Sequence, residues 1–344
     1  RVIGEAIAAE PDLELAGTAI NGLDALLKVE QLKPDVLTLD VEMPEMDGLT
    51  ALRHLMARYP RPVIMVSSVT QAGAVATIRA LNIGAVDFVT KPSGSISLDF
   101  HRVRAELVQK IRVAATARVT GGSSVVARRI EPSSHAPRPR QAPAAIAGRF
   151  DRLVVIGSST GGPRALGTLV PDLRNDGHTA YLIVQHMPAG FTRSLAERLD
   201  SLSELSVREA QQGDRLAPGV ALVAPGDFHL RVTSSGAIEL DQSERLHGVR
   251  PSVDITLSSV AQYFGRLTVT SILTGMGVDG AAGAVAIHAA GGYVLAEDES
   301  TCVVYGMPRA VVEKGVADRL VPLDRMADAV SDALAMRPVA GVRS

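Results

Sequence analysis

Leu153-Val-Val-Ile-Gly-Ser-Ser-Thr-Gly-Gly-Pro163 decides how the second half of this 344-residue chain is read. The apolar run Leu153–Ile156 is too short for a buried helix and suits a strand covered on both faces. The glycines after it permit a tight turn, and Pro163 suits the first helical turn, where its missing N–H would lack a partner anyway. The segment is a strand running into a helix. Two chemistries use such a turn. A dinucleotide or phosphate loop needs G-x-G-x-x-G or a Gly-Lys-Ser/Thr ending, and neither spacing is present; the next strand also closes on Gln185-His186 rather than on an acid. Gly157-Ser-Ser159-Thr-Gly161 instead has the G-x-S-x-G form, which exposes the Ser159 hydroxyl beside the free N–H groups of a helix start, where an oxyanion would be stabilised.

A serine of this kind needs a base and an acid. His186 ends the apolar strand Tyr181-Leu-Ile-Val-Gln185, and consecutive strands usually neighbour each other, so it is expected beside Ser159. His229, in Ala224-Pro-Gly-Asp-Phe-His229, is the rival base. For the orienting acid, Asp279 stands after another apolar strand end, in Leu273-Thr-Gly-Met-Gly-Val-Asp-Gly280, with Asp254 in Arg250-Pro-Ser-Val-Asp254 as the alternative. The order Ser, His, Asp excludes nothing, because such a triad is recognised by geometry.

Working outward, further strands are expected at 220–223, 269–273 and 293–296, and a closing amphipathic helix carries Leu323, Met326, Val330 and Leu334. This gives a second α/β domain over residues 150–344. Residues 116–149 lose the apolar period and fill with Ala, Ser, Pro and Arg, which reads as a flexible linker. Its basic excess comes without aromatics or a helix-turn-helix pattern, so no nucleic-acid partner is expected. Before it, residues 1–115 alternate again: strands at 15–19, 36–39, 63–66 and 86–89, and helices at 22–31, 48–56, 73–81 and 98–115. Val103, Leu107 and Ile111 give the last helix one core-facing stripe. Such alternation argues for a parallel sheet covered on both faces. Asp40, Ser67 and Lys91 each follow a strand, at the sheet edge where ligands bind, and a carboxylate, a hydroxyl and an ammonium there could hold a phosphoryl group. The chain opens on Arg1 inside a helical pattern, so the reading expects a truncated front.

The net charge of −2 gives no general attraction to nucleic acid or anionic membrane. Cys302 is the only cysteine, so no intrachain disulfide can form, which fits a reducing cytoplasm. No apolar run is long enough to span a bilayer, so no direct membrane insertion is expected.

Leu39-Asp40-Val-Glu-Met-Pro-Glu-Met-Asp-Gly48, Val66-Ser67-Ser68 and Lys91-Pro92 resemble the marks of response-regulator receiver domains. The resemblance implies a flavodoxin-like (βα)5 fold, here without its first strand. It also implies phosphorylation of Asp40, Ser67 as the switch hydroxyl, Lys91 as the phosphate-binding lysine and a cis bond before Pro92. Mg²⁺ would be held partly by Asp40 and the backbone carbonyl of Glu42. Family receivers carry an acidic pair after the first strand, so this sequence is expected to lack further Mg²⁺ ligands and to take up phosphate poorly.

The second half is similar to the CheB methylesterases. The stretches that match are Gly157–Pro163, Gln185-His-Met-Pro188 with Phe191-Thr192, Ala224–Asp227, Arg250–Asp254, Thr274–Gly280 and Gly306-Met-Pro308. That resemblance implies a doubly wound, mainly parallel catalytic domain with Ser159 as nucleophile, His186 as base and Asp279 as its orienter. Thr160 and the backbone N–H of Met276 would support the oxyanion, and catalysis would need no cofactor. The implied activity is hydrolysis of glutamate γ-methyl esters on chemoreceptors, with deamidation of receptor glutamines. A chemotaxis histidine kinase would supply the phosphoryl group.

Overall fold

The computed structural model describes residues 2–91, 98–117 and 150–336. The chain divides into two units, Arg1–Gln141 and Ala142–Ser344. The expected linker over 116–149 lies outside the described residues apart from Thr116 and Ala117, and so does Pro92 with its expected cis bond.

The first unit runs α1 (Val2–Ala8), α2 (Gly22–Leu32), β1 (Leu37–Asp40), α3 (Gly48–Arg58), β2 (Val63–Ser67), α4 (Gln71–Ile83), β3 (Asp87–Thr90) and α5 (Leu98–Thr116). Its strands pair in parallel in the order β1-β2-β3. Every residue of the central β2 is buried, as a strand covered on both faces requires. Three helices start on a short polar side chain that accepts an otherwise orphaned N–H: Asn21 from Asp24, Asp47 from Thr50 and Thr70 from Gly73. Leu107 and Ile111 of α5 are buried as their spacing predicts.

One expectation fails. Leu15–Ala19 forms no strand, so the described part of this sheet has three strands, not four. A strand is held by a ladder partner and a buried face, and this segment has neither: its backbone joins no ladder among the described residues and Leu15–Ala19 are all exposed.

The second unit contains β4 (Arg152–Ser158), α6 (Gly162–Leu169), β5 (Thr179–Gln185), α7 (Phe191–Asp200), β6 (Ser206–Glu209), β7 (Val220–Val223), β8 (His229–Val232) and β9 (Ile238–Asp241). It continues with α8 (Val253–Phe264), β10 (Thr268–Ile272), α9 (Ala281–Ala289), β11 (Tyr293–Glu297), α10 (Met307–Glu313), β12 (Arg319–Val321) and α11 (Met326–Ala335). Seven strands form one parallel sheet in the order β12-β11-β10-β4-β5-β7-β6, and β8 and β9 form a separate antiparallel hairpin. The chain leaves β4 toward β5 on one side and returns to β10 on the other. The carboxyl end of β4 is thus the point where strand order reverses, and a crevice opens there in doubly wound sheets. Leu153–Ile156 and Ala180–Val184 are buried on both faces, and one core cluster runs from Leu182 and Leu222 through Val253 and Leu257 to Ile287.

Candidate active site

Ser159 leaves the end of β4 and enters the turn before α6. Its N–H donates to the carbonyl of Thr274 at 3.1 Å, and its own carbonyl accepts from Gly162 N–H at 2.8 Å and from Gln185 Nε2 at 2.9 Å. Gln185 is itself held by Ser158, whose hydroxyl donates to Gln185 Oε1 at 2.7 Å. The turn differs from the G-x-S-x-G elbow in one respect. The left-handed residue is Gly161, at φ 80°, and the serine is not among the positive-φ residues. A side chain at Gly161 would also press on Val303, its Cβ lying 2.7 Å from that of the valine, so both glycine freedom and glycine size are needed there.

His186 follows β5, and its N–H donates to the carbonyl of Ser158 at 3.1 Å. The parallel register pairs Ser158 with Gln185, so the serine and the histidine are the next residues out along neighbouring strands. The imidazole is nearly buried, and its Nε2 lies 2.7 Å from Oδ2 of Asp279, which is also buried. This engages Nε2 and leaves Nδ1 as the nitrogen available to a proton from the serine.

Asp279 is gripped on every side. Beyond the imidazole it accepts the hydroxyl of Ser252 at 2.8 Å and the N–H groups of Val253 at 2.7 Å and Asp254 at 3.0 Å. Those N–H groups open α8, so the carboxylate sits at the positive end of a helix. Burial alone would push its carboxyl up. The His186 bond and charge, with the α8 donors, outweigh burial and hold it well below the ordinary carboxylate range.

The rival acid is its neighbour. Asp254 accepts from Gly280 and Gly283 N–H at 2.9 and 2.7 Å and meets Nε2 of His247 at 3.2 Å. Burial and the charge of Asp279 push it up, so the two carboxyls are driven apart and Asp279 is the one kept ionised. His247, Asp254 and Asp279 offer ligand atoms within 4.8 Å of one another. All four carboxylate oxygens of the pair already accept hydrogen bonds, which a cation would have to displace. The rival base, His229, lies buried in β8 with Nε2 on the carbonyl of Glu244 at 3.0 Å.

Thr160 is buried, and its carbonyl accepts the hydroxyl of Thr274 at 3.0 Å. Met276 is half-buried in the turn after β10, between Gly275 and the left-handed Gly277 at φ 88°. Two of the quoted stretches prove to be one support: Arg250 pairs with Asp227 at 2.7 Å and donates to the carbonyls of Gln242 and Ser243. The reading assigned no role to Gln185, Ser252, Thr274 or Glu297. Ser252 could have been found as an N-cap before α8, and Glu297 as an acid ending an apolar strand, the signal that picked out Asp40.

In the first unit Asp40 ends β1. Its Oδ2 pairs with Lys91 Nζ at 2.7 Å, and its Oδ1 accepts the N–H of Glu42 at 3.0 Å. Ser67 is buried, and its hydroxyl donates to the carbonyls of Ser68 at 3.3 Å and Gly73 at 3.2 Å, toward the start of α4. The lysine and the aspartate are therefore together, while the serine is engaged elsewhere.

Residues 154–330 match the model of the CheB methylesterase family, and residues 1–99 match that of the response regulator receiver domain. A curated relative from Symbiobacterium thermophilum, named protein-glutamate methylesterase/protein-glutamine glutaminase, is 52% identical over 97% of this chain and 93% of its own. One of the same name from Thermotoga maritima is 46% identical over 93% of this chain and 91% of its own. The crystal structure of the Thermotoga maritima CheB methylesterase catalytic domain superposes with a TM-score of 0.51 and 47% identity, covering 53% of this chain and 97% of that one. The chain belongs to the CheB methylesterase family, with a response-regulator receiver domain ahead of the methylesterase domain.

Proposed function

We propose that this protein is a phosphorylation-regulated serine hydrolase that removes methyl groups from glutamate γ-methyl esters of chemoreceptors and deamidates receptor glutamines. The observation that carries the reading is the buried 2.7 Å contact between His186 Nε2 and Asp279, set on the strand edge beside Ser159. In this reading Ser159 Oγ attacks the side-chain carbonyl carbon of the ester, and His186 takes the serine proton on Nδ1. Asp279 holds the ring in the tautomer that leaves Nδ1 free and stabilises the imidazolium that forms. Charge gathering on the carbonyl oxygen would meet Thr160 and the backbone N–H of Met276. The imidazolium returns its proton to the departing methoxide, giving methanol and a glutamyl ester on Ser159. Water, deprotonated by the same nitrogen, then releases glutamate and restores the serine. With a glutamine side chain the departing group is ammonia, through the same tetrahedral geometry.

Regulation would act through Asp40, which would receive a phosphoryl group from the pathway's histidine kinase, with Lys91 meeting its oxygens. Phosphoryl transfer to a receiver aspartate uses Mg²⁺, a hard cation that takes oxygen ligands. The Asp40 carboxylate and the Glu42 carbonyl would supply two of them. No helix among the described residues is long and apolar enough to cross a membrane.

The test is methanol release from methyl-labelled receptor. Ser159→Ala and His186→Ala are each expected to lower turnover by roughly a thousandfold or more, because triad members act as a unit. A folded Ser159→Ala variant that releases methanol at the normal rate overturns the assignment.

A further inference from the structure

The turn that follows β10 is held from two sides. On one side Thr274 donates its backbone N–H to Oε2 of Glu297 at 2.7 Å. On the other, its carbonyl accepts the N–H of Ser159 at 3.1 Å and its hydroxyl donates to the carbonyl of Thr160 at 3.0 Å. One residue thus fixes the serine and its neighbour, and Glu297 fixes that residue. Glu297 ends β11 beside β10 and is fully buried. Its Oε1 accepts the hydroxyl of Thr301 at 3.0 Å, and the oxygen of Thr301 accepts the N–H of Leu323 at 3.1 Å. The donors to the carboxyl, from Thr274, Thr301 and Cys302, are all neutral, and among the described residues no cation pairs with it. Packing alone would be served better by an apolar side chain here, since a buried carboxyl without a cation is costly to desolvate.

We propose that Glu297 is a positioning residue of the hydrolase site: its carboxyl fixes Thr274, and Thr274 fixes the backbone of Ser159 and Thr160. The inference rests on the reading of Ser159 as nucleophile. Stabilisation of an oxyanion depends on donors held at fixed places before the reaction, so a loosened turn weakens the transition state more than it weakens binding. The burial has a consequence for pH. It pushes the Glu297 carboxyl up to about 7, opposed by the bonds from Thr274, Thr301 and Cys302 and helped by the charge of Asp298. Besides Asp298, the titratable neighbour is Cys302, whose thiol is pushed up by burial and lies 3.9 Å from the Glu297 carbonyl. The folded chain therefore keeps this proton to higher pH than the unfolded chain, whose ordinary value is 4.5. The stability contributed is full below that value and is lost as pH rises through about 7.

Kinetics of methanol release from methylated receptor, with folding checked by circular dichroism, tests the link. Glu297→Met removes the acceptor while keeping the length of the side chain. It is expected to lower kcat about ten- to hundredfold while KM changes by less than about twofold. Glu297→Gln keeps an acceptor oxygen for Thr274, and its amide can donate to the Thr301 hydroxyl. It should recover most of the loss and flatten the fall in melting temperature between pH about 6 and 8. Thr274→Val and Thr274→Ser keep the backbone N–H that Glu297 holds and probe the next step, the hydroxyl bond to Thr160: the valine should lose kcat and the serine regain it. A folded Glu297→Met variant with unchanged kcat overturns the proposal, as does a Glu297→Gln variant that is as slow as the methionine one. Should Glu297→Met not fold, a normal kcat in Thr274→Val overturns it. Failure of the underlying reading looks different, because Ser159→Ala would then keep its rate; an inactive Ser159→Ala beside a normal Glu297→Met defeats this inference alone.

Discussion

Asp279→Asn separates charge from geometry at the hydrolase site. Oδ1 of the carboxylate takes the Ser252 hydroxyl at 2.8 Å and the Asp254 N–H at 3.0 Å; Oδ2 takes the Val253 N–H at 2.7 Å and faces His186 Nε2 at 2.7 Å. An asparagine has one oxygen, so its amide nitrogen must face one of these pairs. Turned toward Ser252 and Asp254, it finds a hydroxyl that can rotate to accept and a backbone N–H that cannot. Turned toward Val253 and His186, it finds an imidazole that can change tautomer and, again, a backbone N–H that cannot. In either orientation one buried N–H loses its acceptor, a loss of about 1–3 kcal/mol, and relief of the repulsion from Asp254 offsets part of it. A fall in melting temperature of roughly 2–10 °C should follow. The kinetic effect is larger. Either the imidazolium loses its counter-charge or the proton sits on the wrong ring nitrogen, and kcat should drop roughly a thousand- to ten-thousandfold. Methanol release at saturating receptor, alongside thermal melting, measures both. A rate within about tenfold of the unaltered enzyme, with the large loss appearing in Asp254→Asn instead, would falsify this account and transfer the orienting role to Asp254.

Two glycines give further expectations. A Cβ at Gly275 would lie 2.3 Å from Met307 Sδ, 2.8 Å from Ser159 Cβ and 3.1 Å from Ser159 N. The methionine can swing aside and the serine backbone cannot, so Gly275→Ala should lose more in kcat than in stability, the latter by about 1–3 kcal/mol; a folded variant with normal kcat would show that the contact is not critical. A Cβ at Gly48 would lie 2.0 Å from the carbonyl oxygen of Asp40, which is backbone on both sides. Gly48→Ala should therefore destabilise the receiver unit by about 3 kcal/mol or more and depress labelling of Asp40 by a phosphodonor; an unchanged melting curve for that unit would contradict the packing argument.

Much of this was legible because parallel strands buried on both faces write themselves as apolar runs. Leu153–Ile156, Tyr181–Val184 and Val63–Val66 appear in the structure where their runs lie, the first two longer by three residues and the last by one. The residues placed at the ends of those runs followed, since in such sheets the carboxyl edge is where polar side chains converge. Strands outside the double layer left no such trace. β6 reads Ser-Val-Arg-Glu with only Val207 buried, and β12 begins on exposed Arg319 and Leu320. Leu15–Ala19 failed for a different reason: only Thr18 favours a strand, Gly and Ala are poor in that role, and no ladder among the described residues receives the segment. The supports of the site were harder still. Asp279 and Asp254 look alike in sequence, and they are told apart only when the start of α8 delivers its N–H groups to one and Gly280 and Gly283 deliver theirs to the other.

The order of strands around β4 bears on when this enzyme first becomes able to react. The central strand pairs with β10 across 115 residues, as in the bond from Thr270 to Val155, and His186 meets its acid 93 residues further along. Loop closure over such separations is slow compared with local structure, and it cannot begin until the later partner has been made. A chain emerging from the ribosome therefore presents its serine and its base long before the acid that orients them, and a fragment cut between β9 and β10 would lack that acid whatever its local structure. Full hydrolytic activity in this family member thus reports that synthesis and assembly have proceeded at least through Asp279.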